Sequence, residues 1–296
     1  YAKDNPRDFT LLKRASLHNL KRGDFLKTEW GNVRPSWYLQ MAAAPAKAVT
    51  DLQVVLVGRS HRFPHLDNLR AIWTKTGRAD PGIWSMVQTA AQGEQDPVPE
   101  DIESLFAYMP HPLALRMWLL SIDYKKPLVL TKGAATMWAH NWRRVQNMVA
   151  AVSLKTTDGQ QGEMGKAVKQ ALFDLRRGWT EALENDMAVY TFWPVLFTFC
   201  RQINAWLEKD RLSPFEANAV LETMRRLDAV LGIVDWPGLP LSAHAWPTDV
   251  ASRLEERRKA QADKDFERAD VLRNELLNLG YRVEDTPQGP RVYRRQ

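Results

Sequence analysis

Between Asp51 and Ser60 the chain reads DLQVVLVGRS, a valine-rich run that ends at Gly58. Its apolar residues follow one another instead of alternating, which predicts a strand fully buried in a parallel sheet. In open α/β sheets ligands bind beyond the carboxyl ends of such strands, so Gly58 to His65 is where chemistry is expected. The stretch FPHLDNL, Phe63 to Leu69, follows directly and places a histidine near an acid and an amide. Residues 82–99 then weaken in pattern and predict a loop with one short ordered piece.

From Pro99 onward the pattern is helical. PEDIESLFAYM opens on proline and two acids, a good helix start, and Pro110 closes it. ATMWAHNWRRVQNMVAAV carries Trp138, Trp142, Val145, Val149 and Val152 at helical spacing. Two tryptophans one turn apart read as core. The polar, glycine-containing break from Thr156 to Gly165 marks a domain boundary. Ser213-Pro214-Phe215-Glu216 combines a capping box with proline at the first helical position, and an apolar face of Val220, Met224, Leu227 and Leu231 follows. DWPGLPLSAHAWP is a proline-rich linker. Beyond it come helices over about 249–262 and 265–279, with Gly280 as the stop, and a hairpin in YRVEDTPQGPRVYRR.

The 296 residues suffice for about two domains. An apolar fraction of 45% and a charged fraction of 26% are those of an ordinary globular protein. A formal net charge of +6 permits a polyanionic partner without demanding one. The single cysteine, Cys200, excludes an internal disulfide and a multi-cysteine zinc cage; it suits a reducing, cytoplasmic setting and reads as packing on an apolar helix face. No apolar run reaches the roughly 18–20 residues of a membrane span. No signal peptide is evident, and because the chain opens at Tyr1 inside a polar segment, a preceding segment is expected. There is no glycine-rich phosphate loop and no nucleophile elbow.

The tail RLEERRKAQADKDFERADVLRNELLNLGYRVEDTPQGPRVYRR resembles the C-terminal end of bacterial cysteinyl-tRNA synthetases. There a helix pair of alternating charge precedes an LEDTPQG or LEDGPQG turn and a short basic end. The register includes Asp265, Phe266, Ala269, Asp270, Arg273, Leu276, Gly280, Glu284, Asp285, Pro287, Gln288 and Gly289. Upstream, MRRLDAVLGIV, ALENDMAVYTFWPVLFTFCRQINAWL, LALRMWLLSIDYKKPLVLT, EWGNVRPSWYLQMAAA and NPRDFTLLK each resemble a segment of that family. The resemblance runs from about Asn5 to Arg295. It begins midway through the catalytic domain, past the half that carries the HIGH nucleotide motif.

The resemblance implies an α/β plus all-α fold: the later part of a Rossmann-like class I catalytic domain (1–98), a connecting helical region (99–155), an anticodon-binding-type helical bundle (156–235) and a small helix-pair and hairpin domain (248–296). It also implies ATP and zinc as the family's cofactors. In the family, HGGGxDLxFPHHENE supplies a histidine and a glutamate to zinc, which binds the cysteine thiolate. Here His65 stands at the first histidine of the pair, Leu66 and Leu69 replace the second histidine and the glutamate, and Met41 replaces the ligand cysteine of WHIECSAM. The site is therefore expected to hold no metal, with Trp37 and His65 as remnants of the substrate pocket and His65 hydrogen-bonded locally at a helix start. The family's lysine-rich KMSKS loop, which stabilises ATP phosphates, falls on Gln88-Thr89-Ala90-Ala91-Gln92, and no lysine occurs between Lys75 and Lys125. Adenylation, catalytic residues and cofactors are accordingly not expected in this chain. The anticodon-reading side chains fall on Asp270, Arg273 and Asp285, balanced against a plain ion pair between Asp270 and Arg273 one helical turn apart. Arg291, Arg294 and Arg295 are phosphate contacts if RNA binds, otherwise a basic end. The expected partner is tRNA or another structured RNA; the alternatives are a cysteine–tRNA or related amino-acid ligase completed by a preceding half, and a scaffold for a protein partner.

Overall fold

The computed structural model describes residues 5, 7–49, 51–98, 101–109, 111–157, 161–286 and 289–294. Tyr1, the helix signals at Pro99 and Pro110, part of the break at 158–160, the turn residues Pro287 and Gln288, and Arg295 lie outside them. The chain divides into two compact units, one formed by residues 1–91 with 124–128 and the other by the remainder.

The first unit opens with strand β1 (Leu12–Arg14), helix α1 (Leu17–Arg22), β2 (Leu26–Thr28) and β3 (Gly31–Pro35). β3 is central in a three-stranded antiparallel sheet ordered β1-β3-β2. Helix α1 starts in a capping box, with the Asn19 N–H donating to Ser16 Oγ and the Ser16 N–H donating to Asn19 Oδ1. It ends at Gly23, whose φ of 74° is the left-handed conformation glycine adopts without cost. Ser36 caps α2 (Trp37–Ala48) by accepting from the Leu39 N–H.

Next come β4 (Val54–Gly58), α3 (Asp67–Lys75) and β5 (Ile83–Val87). β4 and β5 pair in parallel from Val54↔Ile83 to Gly58↔Val87, and residues 59–82 provide the long crossover a parallel pair requires. The indole N–H of buried Trp73 on α3 donates to the Ala42 carbonyl of α2 at 3.0 Å, tying the two helices together. The parallel strand expected at 54–58 is present, but it is not fully buried: Val54 is 49% and Leu56 66% exposed. Among the described residues its sheet contains only two strands, which leave that face uncovered. Residues 82–99 hold more order than expected, both β5 and the short β6 (Ala90–Gln92).

The second unit is helical apart from its ends: α4 (Ile102–Leu105), α5 (Pro112–Leu119), the short β7 (Leu128–Leu130), α6 (Lys132–Ser153), α7 (Lys166–Glu184), α8 (Trp193–Glu208) and α9 (Pro214–Leu231). The helix expected after Pro99 is reduced to four residues in α4. Met117, Trp118, Val145, Met148, Leu172, Leu175, Leu196, Ile203 and Met224 are buried almost completely; of the two tryptophans expected in the core, Trp142 is buried and Trp138 is only half-buried. Cys200 lies 1% exposed on α8, where burial pushes its thiol up to about 12 and leaves it neutral near pH 7.

Two buried carboxylates fix the ends of α9. At its start, Glu216 accepts from the N–H and hydroxyl of Ser213 and from the N–H of Gly165, the residue that caps α7. At its end, Gly232 is left-handed with φ 59°, and Asp228 accepts the N–H groups of Ile233 and Val234 and the indole N–H of Trp236. The chain leaves α9 along this carboxylate and reaches α10 (Thr248–Ala262), α11 (Phe266–Asn278), β8 (Tyr281–Thr286) and β9 (Gly289–Arg294). The strands form the expected antiparallel hairpin, in register from Tyr281↔Arg294 to Thr286↔Gly289. Val250, Leu254, Leu276, Val283 and Val292 make a separate small core covered by Trp246 and Tyr281.

Burial alone would raise the Glu216 carboxyl, but the hydrogen bonds from Ser213 and Gly165 outweigh it and hold the group below the ordinary glutamate range. Its contribution is therefore full above the unfolded-state value and is lost as pH falls through the lower folded one. Glu216→Ala is expected to cost about 1–3 kcal/mol at pH 7, and the deficit relative to wild type should shrink in urea titrations at acid pH. A deficit independent of pH would assign the loss to packing instead.

Candidate functional sites

Two clusters contain the residues expected to carry function. The first lies in the α/β unit, where α2, β4 and α3 enclose a cavity of about 440 Å³. Trp37 and Met41 enter from α2, Leu56 from β4, His61 and His65 from the segment between β4 and α3, and Leu69 from α3. Trp37 stacks on His61 with ring centroids 5.7 Å apart and meets His65 at 5.0 Å. The two imidazoles are 5.0 Å from each other, and Tyr38 approaches His65 edge-on at 5.5 Å. His61 and His65 are four residues apart with Pro64 between them, which interrupts any shared helix. The backbone does break there, with Phe63 in an extended conformation, and the break is what turns both rings toward Trp37.

His65 departs from expectation in one respect: its Nδ1 is buried without a hydrogen-bond partner, so that atom makes no local hydrogen bond. Trp37 is 47% exposed and so is not a core residue. The donor set does not fit zinc. Around the cavity stand two imidazoles, one thioether and aliphatic side chains, with no thiolate or carboxylate among its lining residues. Among the described residues no cluster of three or more His, Cys, Asp or Glu side chains is poised around a metal position. The cavity can enclose an apolar group beside the two imidazoles.

The second cluster lies in the C-terminal helix pair and hairpin. Arg257 of α10 is 5% exposed and grips Asp285 of β8 through two parallel hydrogen bonds, Nη1 to Oδ1 and Nη2 to Oδ2, both 2.7 Å. Gln261, one turn further along α10, is close enough to the same carboxylate to help Arg257 lower its pKa. The Arg257 hydrogen bonds hold Asp285 below the usual carboxylate range against the opposing effect of burial, and Asp285 raises Arg257 in return. From α11, exposed Asp270 bears electrostatically on Arg257, and exposed Arg273 on Asp285. Asp270 and Arg273 thus lie within electrostatic reach of the Arg257–Asp285 pair. Among the described residues no ion pair joins Asp270 to Arg273; the ion pair at this position is Arg257 with Asp285.

Sequence reading missed Arg257 and Gln261. The signal was present: Val250, Leu254 and Arg257 follow the stripe of α10 that faces the small core, so the third position puts a guanidinium where a leucine would serve packing. A cation in an apolar stripe needs an anion, and Asp285 is that anion. The Nε of Arg257 remains buried and unpartnered. Nearby, Arg282 pairs with Glu284 and lies over the ring of Tyr293, while Phe266 stands 65% exposed at the start of α11. Among the described residues no helix is long and apolar enough to cross a membrane.

Residues 237–294 match the family model of the cysteinyl-tRNA ligase anticodon binding domain. The chain as a whole is similar to cysteine–tRNA ligases. It is 26% identical to that of Pediococcus pentosaceus over 98% of the chain and 61% of the relative. It is likewise 26% identical to that of Methanosarcina mazei over 99% of the chain and 62% of the relative, and 26% identical to that of Chlamydia pneumoniae over the same shares. The chain thus spans about three fifths of the length of the curated relatives it matches.

Asp285→Asn removes the charge that compensates buried Arg257 and is expected to cost about 1–3 kcal/mol at neutral pH. Because the folded carboxyl titrates below its unfolded value near 4, wild type keeps this stabilisation above that value and loses it as pH falls further. Urea unfolding of both proteins should therefore converge toward pH 2–3. Parallel curves down to that pH would show that the pair contributes no net stability.

Proposed function

We propose that this chain, a divergent relative of the cysteine–tRNA ligases, binds tRNA through its C-terminal domain and does not form an aminoacyl-adenylate by the ligases' mechanism. The observation that carries the first half is the array of Asp270, Arg273 and Arg257-held Asp285 inside the segment that matches an anticodon binding domain. A carboxylate locked by two hydrogen bonds cannot rotate away, so it offers outward-facing lone pairs at a fixed angle. Base amino groups of unstacked nucleotides are the partners such acceptors suit, and an adjacent exposed guanidinium can pair with a base edge or stack on it. In this reading residues 1–98 are a Rossmann-like remnant, 99–155 and 156–235 the connecting region and bundle, and 248–296 the anticodon-reading domain of a cytoplasmic protein.

The second half rests on the donor set and the charge of the first unit. The cavity near His65 holds no thiolate or carboxylate to grip zinc, and the loop position at residues 88–92 carries two glutamines where phosphate transfer calls for lysine.

Filter binding of the chain to a tRNA transcript should give micromolar or tighter affinity that weakens steeply between 50 and 200 mM salt, as counterion release requires. Arg273→Ala should weaken binding roughly tenfold while leaving thermal unfolding unchanged, since the side chain is exposed. Failure to bind at low salt would sink the reading. For the second half, ATP–pyrophosphate exchange with each amino acid in turn is expected to stay at background; exchange with any of them restores the enzyme alternative.

A further inference from the structure

The first unit carries a charged face that neither the cavity nor the C-terminal site uses. Between Leu12 and Pro35 stand six basic and two acidic residues, a net +4 out of the chain's +6. Only Arg22 of those six makes an ion pair among the described residues, with Asp24 at 3.2 Å. The sheet register then sorts the others. Val33 of central strand β3 is buried, so Asn32 and Arg34, one residue to either side, face solvent. Directly opposite Arg34 on β1 is Lys13, and directly opposite Asn32 on β2 is Lys27. Three cations and an amide therefore share one exposed face, and no acid from the three strands lies on it.

Like charges directly across a strand pair destabilise a sheet. A two-cation rung flanked by a third has no compensating partner within this sheet, and it is concentrated where the strands, not a mobile tail, hold the charges at fixed spacing. At the β2–β3 turn, where Thr28 Oγ1 donates to the Gly31 carbonyl and accepts from the Trp30 N–H, Trp30 projects with 70% of its surface exposed. A row of cations on strands that meet at a turn bearing an exposed indole supplies the two elements that single-stranded nucleic acid recognition uses, phosphate contacts and base stacking.

We propose that the solvent face of the β1-β3-β2 sheet is an RNA-binding surface, with Lys13, Lys27 and Arg34 on phosphates and Trp30 stacked on a base. It is distinct from the C-terminal site and recognises backbone and stacked bases without reading sequence.

The probe is a 12-nucleotide oligouridylate, which has no anticodon stem. Wild type should bind it with a salt dependence that the triple variant Lys13→Gln/Lys27→Gln/Arg34→Gln reduces by about 2 in log–log slope, three phosphates at about 0.7 each. Trp30→Ala should weaken binding about tenfold at unchanged slope. The triple variant should melt at or above the wild-type temperature, because it relieves like-charge opposition, so its loss of binding would not reflect misfolding. Removing the same charge elsewhere, in Lys47→Gln/Lys75→Gln/Lys209→Gln, should leave the slope unaltered. An unchanged slope in the first triple variant, or an equal fall in the second, overturns the proposal. So does binding to phosphatidylserine vesicles with none to the oligonucleotide, which would make the face a membrane contact. If Arg273→Ala leaves tRNA affinity intact while the oligouridylate results hold, the C-terminal reading fails alone.

Discussion

The bidentate pair of Arg257 with Asp285 is the interaction on which the C-terminal domain turns. Its core is small, a cluster of five buried aliphatic residues with two aromatic covers and Ala260, Ala269 and Leu272 buried besides, and a core of that size leaves the orientation of a hairpin against a helix pair weakly specified. A guanidinium fork accepts a carboxylate in one plane at one distance, so the pair fixes which strand residue meets which turn of α10. Burying its Arg257 end costs desolvation that the half-exposed Asp285 carboxylate offsets. What it adds beyond aliphatic packing is register, together with an acceptor held still at the protein surface.

The same device recurs in the bundle. Glu216 joins the starts of α7 and α9, and Asp228 takes three N–H donors where α9 ends, so both ends of this helix are organised by a carboxylate that its neighbours fully occupy. In each case a short polar side chain satisfies backbone donors that helix geometry would otherwise leave orphaned. The helical half is consequently well determined by local chemistry, and its large apolar side chains fill the remaining volume.

That distinction explains what could be read from residues alone. The capping box at Ser213, the stop at Gly280, the C-terminal hairpin and the apolar stripe of α9 are local patterns, and each appears where its pattern stands. Asp270, Arg273 and Asp285 were legible as a group only through a long match of residue types; spacing alone would have paired Asp270 with Arg273. Arg257 was missed because a basic residue in a charged helix looks solvated until the apolar phase of that helix is traced. The proximity of His61, His65 and Trp37 was illegible for another reason: it depends on a backbone break at Phe63 and on a helix whose sequence lies some twenty residues earlier. The exposure of β4 was misjudged because a valine-rich run records the environment a strand prefers, not the number of strands present to provide it.

The two-stranded parallel sheet of β4 and β5 has a consequence for handling the chain. Among the described residues each strand pairs only with the other, so both long edges present backbone donors and acceptors at every second residue, and Val54, Leu56 and Ile83 add apolar surface to the same ribbon. Unpaired strand borders of this kind are templates on which an extended segment can pair. The outer borders of the β4–β5 ribbon are thus the strand edges that this chain leaves unpaired among its described residues, and Leu56→Lys would place a charge on that border.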